Sequence, residues 1–339
     1  MSKHDLTIVF EDGRSVRVSA SEEDTVYFAC LKNRIRILTD CLEGACATCK
    51  AHCVEGEYRL DDYVDEALTA EEAAARQVLT CQMHALSDCV IEFPYESRLA
   101  MKGEPKSWPC TVASVEMVSS SVCRLVLAPD RGAQDIGFIP GQYVRLGVPG
   151  SGESRDYSFA SPPQVTDRFT FYIKVLASGA MSDYVRDRAR PGDAVVMTGP
   201  FGRFYLRTPV RPVLMVAGGT GLAPMLSMLD HMVHTGATAQ PVRLLVGANR
   251  PDEIFCTDQV AGYVEKGLKL DAEYAVVEPG PGWDGETGHV TGLLRDEVVE
   301  AEPDIYLCGP PPMIEAAQDW LSAHGTDPVR VHSEKFLSG

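Results

Sequence analysis

The stretch Cys41-Leu42-Glu43-Gly44-Ala45-Cys46-Ala47-Thr48-Cys49 places three cysteines within nine residues, and a fourth, Cys81, follows 32 positions later. The spacing C-x4-C-x2-C with one distant cysteine is that of plant-type [2Fe-2S] ligands. Gly44 and Ala45 are small enough to let the backbone fold closely around an inorganic core. Backbone N–H groups in such a loop can also point at sulfur and stabilise negative charge. The stretch therefore predicts a [2Fe-2S] cluster held by Cys41, Cys46, Cys49 and Cys81.

The same four thiolates could instead hold one tetrahedral Zn²⁺ ion. Zinc loops usually pair their ligands as two C-x2-C units, and here only Cys46 and Cys49 are paired in that way. Three further cysteines of this region fall outside the spacing and are interpreted as packing residues: Cys30, Cys53 and Cys89.

The whole chain has 339 residues, of which 45% are hydrophobic and 23% charged, as in ordinary folded proteins of several domains. Its apolar stretches are far shorter than the roughly 20 residues that span a bilayer, and no secretory signal is evident. A cytoplasmic protein with reduced thiols is expected. The net charge of −17 makes nucleic acid an unfavourable partner. A positively charged protein patch fits better, although a generally acidic surface explains the charge equally well.

Working outward from the cysteine stretch, residues 1–97 are expected to form one compact domain that mixes strands and helices. Leu6–Phe10 and Ser15–Val18 predict a hairpin around a Glu-Asp-Gly turn. Thr69 and Glu72 have capping-box spacing and predict a helix start. A further helix is expected after Asp24, with these residues on its apolar face: Val26, Cys30 and Leu31.

The rest of the chain divides into three segments. Residues 98–108 are polar and aperiodic, as in a linker. Residues 109–208 contain short strands at regular spacing with Gly and Pro turns, which predicts an antiparallel β-barrel. In residues 209–339 buried strands alternate with helices, which predicts a doubly wound parallel sheet. The expected fold class is thus multidomain α+β and α/β.

Arg155-Asp156-Tyr157-Ser158 begins a strand, so the Arg155 and Tyr157 side chains should share one face. Here the sequence resembles the ferredoxin-NADP reductase superfamily, whose flavin motif is R-x-Y-[ST]. The resemblance implies that Arg155 holds the pyrophosphate of FAD, Tyr157 packs on the isoalloxazine and Ser158 hydrogen-bonds near its N5. Taken alone, so short a motif also fits a surface arginine and a core tyrosine.

Gly179-Ala180-Met181-Ser182 opens a helix, predicted over Ser182–Arg188, whose free N–H groups could bind a pyrophosphate. The same resemblance assigns Gly179, Met181 and Ser182 to the flavin, and Lys174 to cofactor binding. An ordinary capped helix is the alternative.

Gly218-Gly219-Thr220-Gly221-Leu222-Ala223-Pro224 joins an apolar strand to a helix. It matches the G-G-T-G-[IL]-A-P run of the superfamily, which implies that Gly218, Gly219, Thr220 and Gly221 hold the nicotinamide half of NAD(P)H. Cys308-Gly309-Pro310 matches its C-G-P-x-x-M element and implies Cys308 beside the nicotinamide ring, with Gly309 and Pro310 also binding the nucleotide. A buried thiol at the end of a strand is the alternative for Cys308.

The module order narrows the resemblance to the reductase of benzoate 1,2-dioxygenase and its toluate, anthranilate and halobenzoate relatives. It implies that Phe336 stacks on the flavin and that Glu334 lies near N5, with Ser158, Cys308 and Glu334 the catalytic groups. It also implies hydride transfer from NADH to FAD, single-electron steps to the cluster, and delivery to the Rieske centre of an oxygenase with non-haem iron.

NADH is expected rather than NADPH, because an acidic group such as Asp252 would bind the ribose 2′-hydroxyl and repel a 2′-phosphate. Arg250 argues the other way. Two other functions stay open: the reductase of a soluble di-iron monooxygenase, such as phenol or methane hydroxylase, and a redox-sensing regulatory protein.

Overall fold

A computed structural model describes residues 3–101, 105–130 and 136–336. The chain divides into two compact units, one of Met1–Lys106 with Gly199–Arg203 and the other of Ser107–Thr198 with Phe204–Gly339.

The first unit is built on a five-stranded sheet of order β2-β1-β7-β3-β5, with a separate two-stranded ribbon of β4 and β6. The strands β1 and β7 run parallel, and the other neighbours in the sheet are antiparallel. The elements in chain order are β1 (Lys3–Val9), β2 (Ser15–Ser21), α1 (Val26–Lys32), β3 (Lys50–Glu55), β4 (Tyr58–Leu60), α2 (Ala70–Ala74), β5 (Gln77–Leu79), β6 (Met83–Ala85) and β7 (Cys89–Glu92). The predicted hairpin is confirmed as β1 and β2.

Both helices of this unit begin at capping residues. The Thr25 hydroxyl accepts the Phe28 N–H ahead of α1, and Thr69 with Glu72 forms the predicted capping box of α2. The expected apolar face of α1 is partly wrong, because Leu31 is 40% exposed whereas Val26 and Cys30 are buried.

The segment Gly199–Arg203 groups with the first unit by its contacts, although Gly199–Phe201 also form the end of the last barrel strand. The Gly202 N–H donates to the Gly13 carbonyl at 2.9 Å, and Arg203 Nη2 lies 2.9 Å from Glu92 Oε2. A Cβ on Gly13, whose φ is +78°, would lie 3.0 Å from the Gly202 nitrogen, so glycine permits this approach.

The second unit begins with a six-stranded antiparallel sheet of order β11-β10-β13-β8-β9-β12, whose terminal strands contact each other and close it into a barrel. Its elements are β8 (Ser107–Met117), β9 (Val122–Pro129), β10 (Tyr143–Gly147), β11 (Ser154–Ser158), β12 (Phe169–Lys174), α3 (Ala180–Asp183) and β13 (Ala194–Phe201). The barrel interior is apolar and rich in aromatic rings, among them Phe138 and Phe159, which stack 3.7 Å apart.

The helix predicted over Ser182–Arg188 begins earlier than expected. It starts at Ala180 and continues as a π-helical turn over Tyr184–Arg188. Gly179 precedes it with a φ of +141°, a conformation that favours glycine.

A six-stranded parallel sheet of order β17-β16-β15-β14-β18-β19 completes the second unit. Its elements are β14 (Val213–Gly218), α4 (Leu222–Thr235), β15 (Val242–Ala248), α5 (Thr257–Glu265), β16 (Leu270–Val276), β17 (Glu286–Thr287), α6 (Asp296–Glu300), β18 (Asp304–Gly309), α7 (Pro311–Ala323) and β19 (Val331–Lys335). The order reverses between β14 and β18, which in such sheets creates a crevice at the carboxyl ends of the strands.

The expected fold class is therefore confirmed. Among the residues that the structure describes, none of the helices is both long and apolar enough to cross a membrane.

Candidate functional site

The cysteine loop between α1 and β3 presents its sulfur atoms in two pairs. The Cys46 thiol hydrogen-bonds Cys41, and Cys49 Sγ lies 3.3 Å from Cys81 Sγ. The backbone N–H groups of Glu43 and Ala45 both point at Cys41 Sγ at 3.4 Å. Two sulfur pairs within a loop of N–H donors suit a cluster of two irons, each of which takes two thiolates.

Within each pair the contact lowers the pKa of one thiol, and in the second pair it raises the pKa of Cys49. Hydrogen bonds from Thr48 and Cys41 lower the pKa of Cys46 to about 7. A hydrogen bond from Cys49 lowers the pKa of Cys81 to about 6. Metal ligation requires deprotonated sulfur, so the loop fits the predicted group.

Glycine makes this close packing possible at one position. Gly44 has a φ of +72°, and a Cβ there would lie 2.8 Å from Tyr63 Cβ and 2.9 Å from the Asp62 carbonyl oxygen. The Val64 N–H donates back to the Gly44 carbonyl at 3.2 Å. The loop is thereby held against residues 62–64.

In the second unit a cavity of about 1170 Å³ lies between the barrel and the parallel sheet. Both halves of that unit line it. The residues predicted from sequence that line it are Arg155, Tyr157, Ser158, Lys174, Gly179, Met181, Ser182, Gly218, Gly219, Thr220, Pro310, Glu334 and Phe336. The structure thus brings the flavin motif and the nucleotide loops together around one space of the size that ligand sites have.

Cationic side chains enter the cavity on the barrel side. Arg155 Nη2 contacts Glu153 at 2.7 Å, and Arg145 Nε contacts Asp156 at 3.1 Å across the β10–β11 pair. Each arginine is therefore placed by a carboxylate beside the cavity, where a pyrophosphate could become its partner. Arg145 was missed in the sequence, although its place opposite Asp156 follows from pairing the two strands.

The predicted helix start contributes backbone groups and open space. The Ser182 hydroxyl accepts the Leu176 N–H at 3.0 Å, which fixes the turn ahead of α3. A Cβ on Gly179 would meet only Ser182 Oγ, at 3.8 Å, and one on Gly219 would meet no chain atom within 4 Å. Both glycines line the cavity, so the space beside them is open to a ligand.

The two nucleotide loops pack against each other through glycine. A Cβ on Gly221 would lie 2.0 Å from the Cys308 carbonyl oxygen, and one on Gly218 would lie 2.7 Å from Met313 Sδ. The N-termini of α4 and α7, each more than three turns long, follow these loops and face the same cavity.

A serine and a glutamate form a hydrogen-bonded pair at the wall of the cavity. The Ser158 hydroxyl donates to Glu334 Oε2 at 3.2 Å. Burial raises the pKa of Glu334 to about 8, against the lowering effect of that hydrogen bond. β19 pairs with β18 in the register Glu334 with Cys308, and the Phe336 N–H donates to the Gly309 carbonyl at 2.9 Å.

Four predicted residues do not line the cavity. Cys308 is completely buried, and burial raises the pKa of its thiol well above the ordinary range. Gly221 and Gly309 lie where the two nucleotide loops pack against each other. The Asp252 side chain is 57% exposed and paired with Arg250 at 3.0 Å.

The acid that does reach the cavity is the next residue, Glu253, with a side chain only 13% exposed. Its Oε2 lies 3.1 Å from Lys174 Nζ, and Lys174 also donates to Ser121 Oγ at 2.7 Å. The turn after β15 therefore presents Glu253, and not the predicted Asp252, to the cavity.

Comparison with protein-family models divides the chain into three matched regions. Residues 9–86 match a 2Fe-2S iron-sulfur cluster binding domain, residues 109–205 an oxidoreductase FAD-binding domain, and residues 215–319 an oxidoreductase NAD-binding domain. These matches, with the sulfur pairs and the shared cavity, define the class: an oxidoreductase that uses FAD, a [2Fe-2S] cluster and NADH.

Several relatives are similar to this chain over almost its full length. The electron transfer component of 2-halobenzoate 1,2-dioxygenase from Burkholderia cepacia is 39% identical, with 98% of each chain covered. The anthranilate 1,2-dioxygenase electron transfer component of Acinetobacter baylyi is 34% identical over 98% of this chain and 97% of the relative. The chain therefore belongs to the family of electron transfer components of aromatic-ring 1,2-dioxygenases.

Two other similar proteins are named for oxygenases that are not aromatic-ring dioxygenases. The reductase component of propane 2-monooxygenase from Mycolicibacterium goodii is 33% identical, with 95% of each chain covered. A crystal structure of a cytochrome P450 reductase from Amycolatopsis superposes with a TM-score of 0.63 at 26% identity, with 98% of each chain covered. Similarity over nearly the full length thus extends to reductases named for different oxygenases.

Proposed function

We propose that this chain takes hydride from NADH and delivers single electrons to the Rieske centre of an aromatic-ring dioxygenase with non-haem iron, in the cytoplasm. The observation that carries the proposal is the single cavity lined by both the flavin motif and the nucleotide loops, in a chain that also carries the cysteine loop. Bound FAD accepts two electrons as hydride and releases them singly, which suits a one-electron cluster. The domains proposed are 1–97, 109–208 and 209–339, joined by the linker 98–108.

The barrel residues orient the flavin. Arg155 binds the pyrophosphate, with Arg145 as a second cation beside it. Tyr157 and Phe336 would pack against the ring system of the flavin. Both line the cavity, and the Phe336 N–H is fixed to the Gly309 carbonyl.

The helix start over Gly179, Met181 and Ser182 adds backbone N–H groups toward the same pyrophosphate. The loop Gly218–Gly221 and the pair Gly309 and Pro310 hold the nicotinamide half. Cys308 would act from within the strand, where its backbone carbonyl packs directly against Gly221.

Glu334 and Ser158 hold a proton at the cavity wall. A carboxyl with a pKa of about 8 keeps its proton at neutral pH, and the Ser158 hydroxyl connects its Oε2 to the cavity. Such a pair can donate a proton to a bound flavin or accept one from it when the flavin is reduced or oxidised.

Glu253 is proposed to accept the ribose 2′-hydroxyl of NADH in place of Asp252. Its carboxylate lines the cavity after β15, where an acidic group binds that hydroxyl and repels a 2′-phosphate. Lys174 holds this carboxylate in place.

The partner oxygenase is tested by reconstitution. We expect the purified chain with NADH to support turnover of a benzoate-type dioxygenase oxygenase component. If the chain instead supports turnover of a di-iron monooxygenase component, it is the reductase of such a monooxygenase. The 33% identity to a propane monooxygenase reductase is the observation in favour of that second candidate. NADH oxidation without electron delivery to either component would overturn both.

A further inference from the structure

A second pair of thiols lies in the first unit, outside the cluster spacing. Cys53 on β3 and Cys89 on β7 are 0% and 2% exposed. Cys53 pairs with Ile91 in the antiparallel register, and Cys89 lies two residues before Ile91. Residues opposite each other and residues two apart share one face of a sheet, so both thiols point to the same side.

Local irregularity brings these thiols together. Diagonal neighbours in a regular antiparallel pair lie roughly 7–8 Å apart, which exceeds the Cα separation of a disulfide. Here the register shifts between Cys53 and Glu55, and both thiols reach the same short segment of backbone. Cys53 Sγ lies 3.2 Å from the Glu55 carbonyl oxygen, and Cys89 Sγ lies 3.6 Å from the Glu57 carbonyl oxygen. Gly56, with a φ of +97°, leaves room for this, because a Cβ there would lie 2.5 Å from Cys89 Sγ.

The guanidinium of Arg76 lies beside the Cys53 thiol. Arg76 Nε donates to the Cys53 carbonyl at 2.8 Å, and Nη2 lies 3.6 Å from Cys53 Sγ. Nη2 also donates to the Gly56 carbonyl, and the guanidinium lies 5.1 Å from the centre of the Tyr58 ring. Two carbonyls and a ring fix the cation in position without neutralising it, so its charge acts on Cys53.

Cys53 is therefore the thiol of the pair that loses its proton first. The hydrogen bond from Cys89, with Arg76 behind it, lowers the pKa of Cys53, whereas the same bond raises the pKa of Cys89. The other titratable groups facing the pair, namely Glu55, Asp88 and Tyr58, oppose the thiolate, and Arg76 offsets them.

We propose that Cys53 and Cys89 form an oxidation site, separate from the cluster ligands, in which the Cys53 thiolate stabilised by Arg76 reduces hydrogen peroxide and Cys89 then closes a disulfide. Cys53 sulfur attacks one peroxide oxygen, the O–O bond breaks and hydroxide leaves, so that Cys53 becomes a sulfenic acid. Cys89 sulfur then attacks Cys53 sulfur, and the sulfenic hydroxyl leaves as water with the Cys89 proton. Two thiols lose two electrons, and peroxide with two protons becomes two waters.

Peroxide must reach thiols that are themselves covered. Arg76 and Tyr58, which contact the pair, are only half-buried, so we expect peroxide to enter on their side. Cys30 offers an internal contrast in the same unit, because it is as buried as Cys53, yet burial alone acts on its thiol and raises the pKa to about 12.

The experiment exposes the cluster-loaded protein to hydrogen peroxide, alkylates the remaining thiols after denaturation, and maps unreduced peptides by mass spectrometry. We expect a cross-linked peptide pair joining Cys53 to Cys89, with Cys30 alkylated throughout. Iron content and the visible spectrum are followed in parallel, so that oxidation of cluster ligands is recognised separately. No Cys53–Cys89 peptide, or oxidation of Cys30 at the same rate, would overturn the proposal.

Variants assign the roles within the pair. In Cys89→Ser we expect Cys53 to be trapped by dimedone as a sulfenic acid, and in Cys53→Ser no trapping at Cys89. Arg76→Gln should slow cross-linking about tenfold at neutral pH, as loss of a neighbouring cation does to a thiolate. Arg59→Gln, at an exposed arginine paired with Asp61, is the matched control and should leave the rate unchanged.

Should Arg76→Gln fail to fold, the pH profile of the unmodified protein decides the same question. The cross-linking rate should reach its plateau below the pH at which free thiols titrate. A rate that still rises through that range, or a rate that Arg76→Gln leaves unchanged, contradicts the role given to Arg76.

Discussion

Ser158 and Glu334 are 176 residues apart in the chain, yet the Ser158 hydroxyl lies 3.2 Å from Glu334 Oε2 at the wall of the cavity. One comes from the end of a barrel strand and the other from the last strand of the parallel sheet. The pair therefore forms only when both halves of the second unit have folded. The proton-transfer role proposed for the pair therefore depends on the folding of both halves.

Glu334 should make the stability of the protein depend on pH. Its pKa is about 8 in the folded chain and 4.5 in the ordinary state, so its contribution is complete below about pH 4.5 and is lost as the pH rises through 8. Glu334→Gln should lose less free energy of unfolding than the parent between pH 5 and 9 in urea denaturation. Glu297→Gln, an exposed acid on α6, should follow the parent. Identical slopes for the parent and Glu334→Gln would show that Glu334 titrates normally.

Glu253 should decide the choice of nucleotide. Glu253→Gln removes the charge that would repel a 2′-phosphate, so the ratio of kcat/KM for NADH over NADPH should fall by about tenfold, or about 1.4 kcal/mol. Asp252→Asn is the matched control, because that side chain is exposed and paired with Arg250. If Asp252→Asn changed the ratio and Glu253→Gln did not, the sequence-based choice of Asp252 would be restored.

Cys46→Ser should separate the two redox functions. Loss of one cluster thiolate should abolish electron delivery to the oxygenase while NADH-dependent ferricyanide reduction by the flavin continues. Cys30→Ala removes a thiol from the same unit without touching the loop and should keep both activities. Loss of ferricyanide reduction in Cys46→Ser would count against this division.

Gly221→Ala should be strongly destabilising, because the added Cβ would lie 2.0 Å from the Cys308 carbonyl oxygen. We expect weaker NADH binding and a loss of about 2–3 kcal/mol in the free energy of unfolding, as overpacking in a rigid core produces. Gly262→Ala on α5 is the contrast: nothing lies within 4 Å of its Cβ, and helix propensity predicts a gain of about 0.5–1 kcal/mol. Equal thermal midpoints for the two variants would contradict the close approach of the loops.

Much of the fold follows from short-range patterns in the sequence. The cysteine spacing, the capping box at Thr69 and the buried strand Val213–Ala217 each depend on neighbouring residues alone. Such signals survive folding because caps, turns and burial act within a few residues.

The remainder depends on which way a side chain turns after the strands have paired. Asp252 and Glu253 are adjacent and chemically alike, and only the contact of Glu253 with Lys174 selects one of them. Arg145 has no motif of its own and is identified by its partner Asp156 on the next strand. Leu31 was expected to be buried and is exposed. In a helix of only two turns, the periodicity does not define where the apolar face ends.

The pairing of β19 with β18 also sets an order of assembly. Every other residue that lines the cavity is translated before Glu334, Lys335 and Phe336. A nascent chain still missing β19 leaves one wall of the cavity open and has no Phe336 N–H to fix at Gly309. Retention of the flavin should therefore begin only after this strand has left the ribosome.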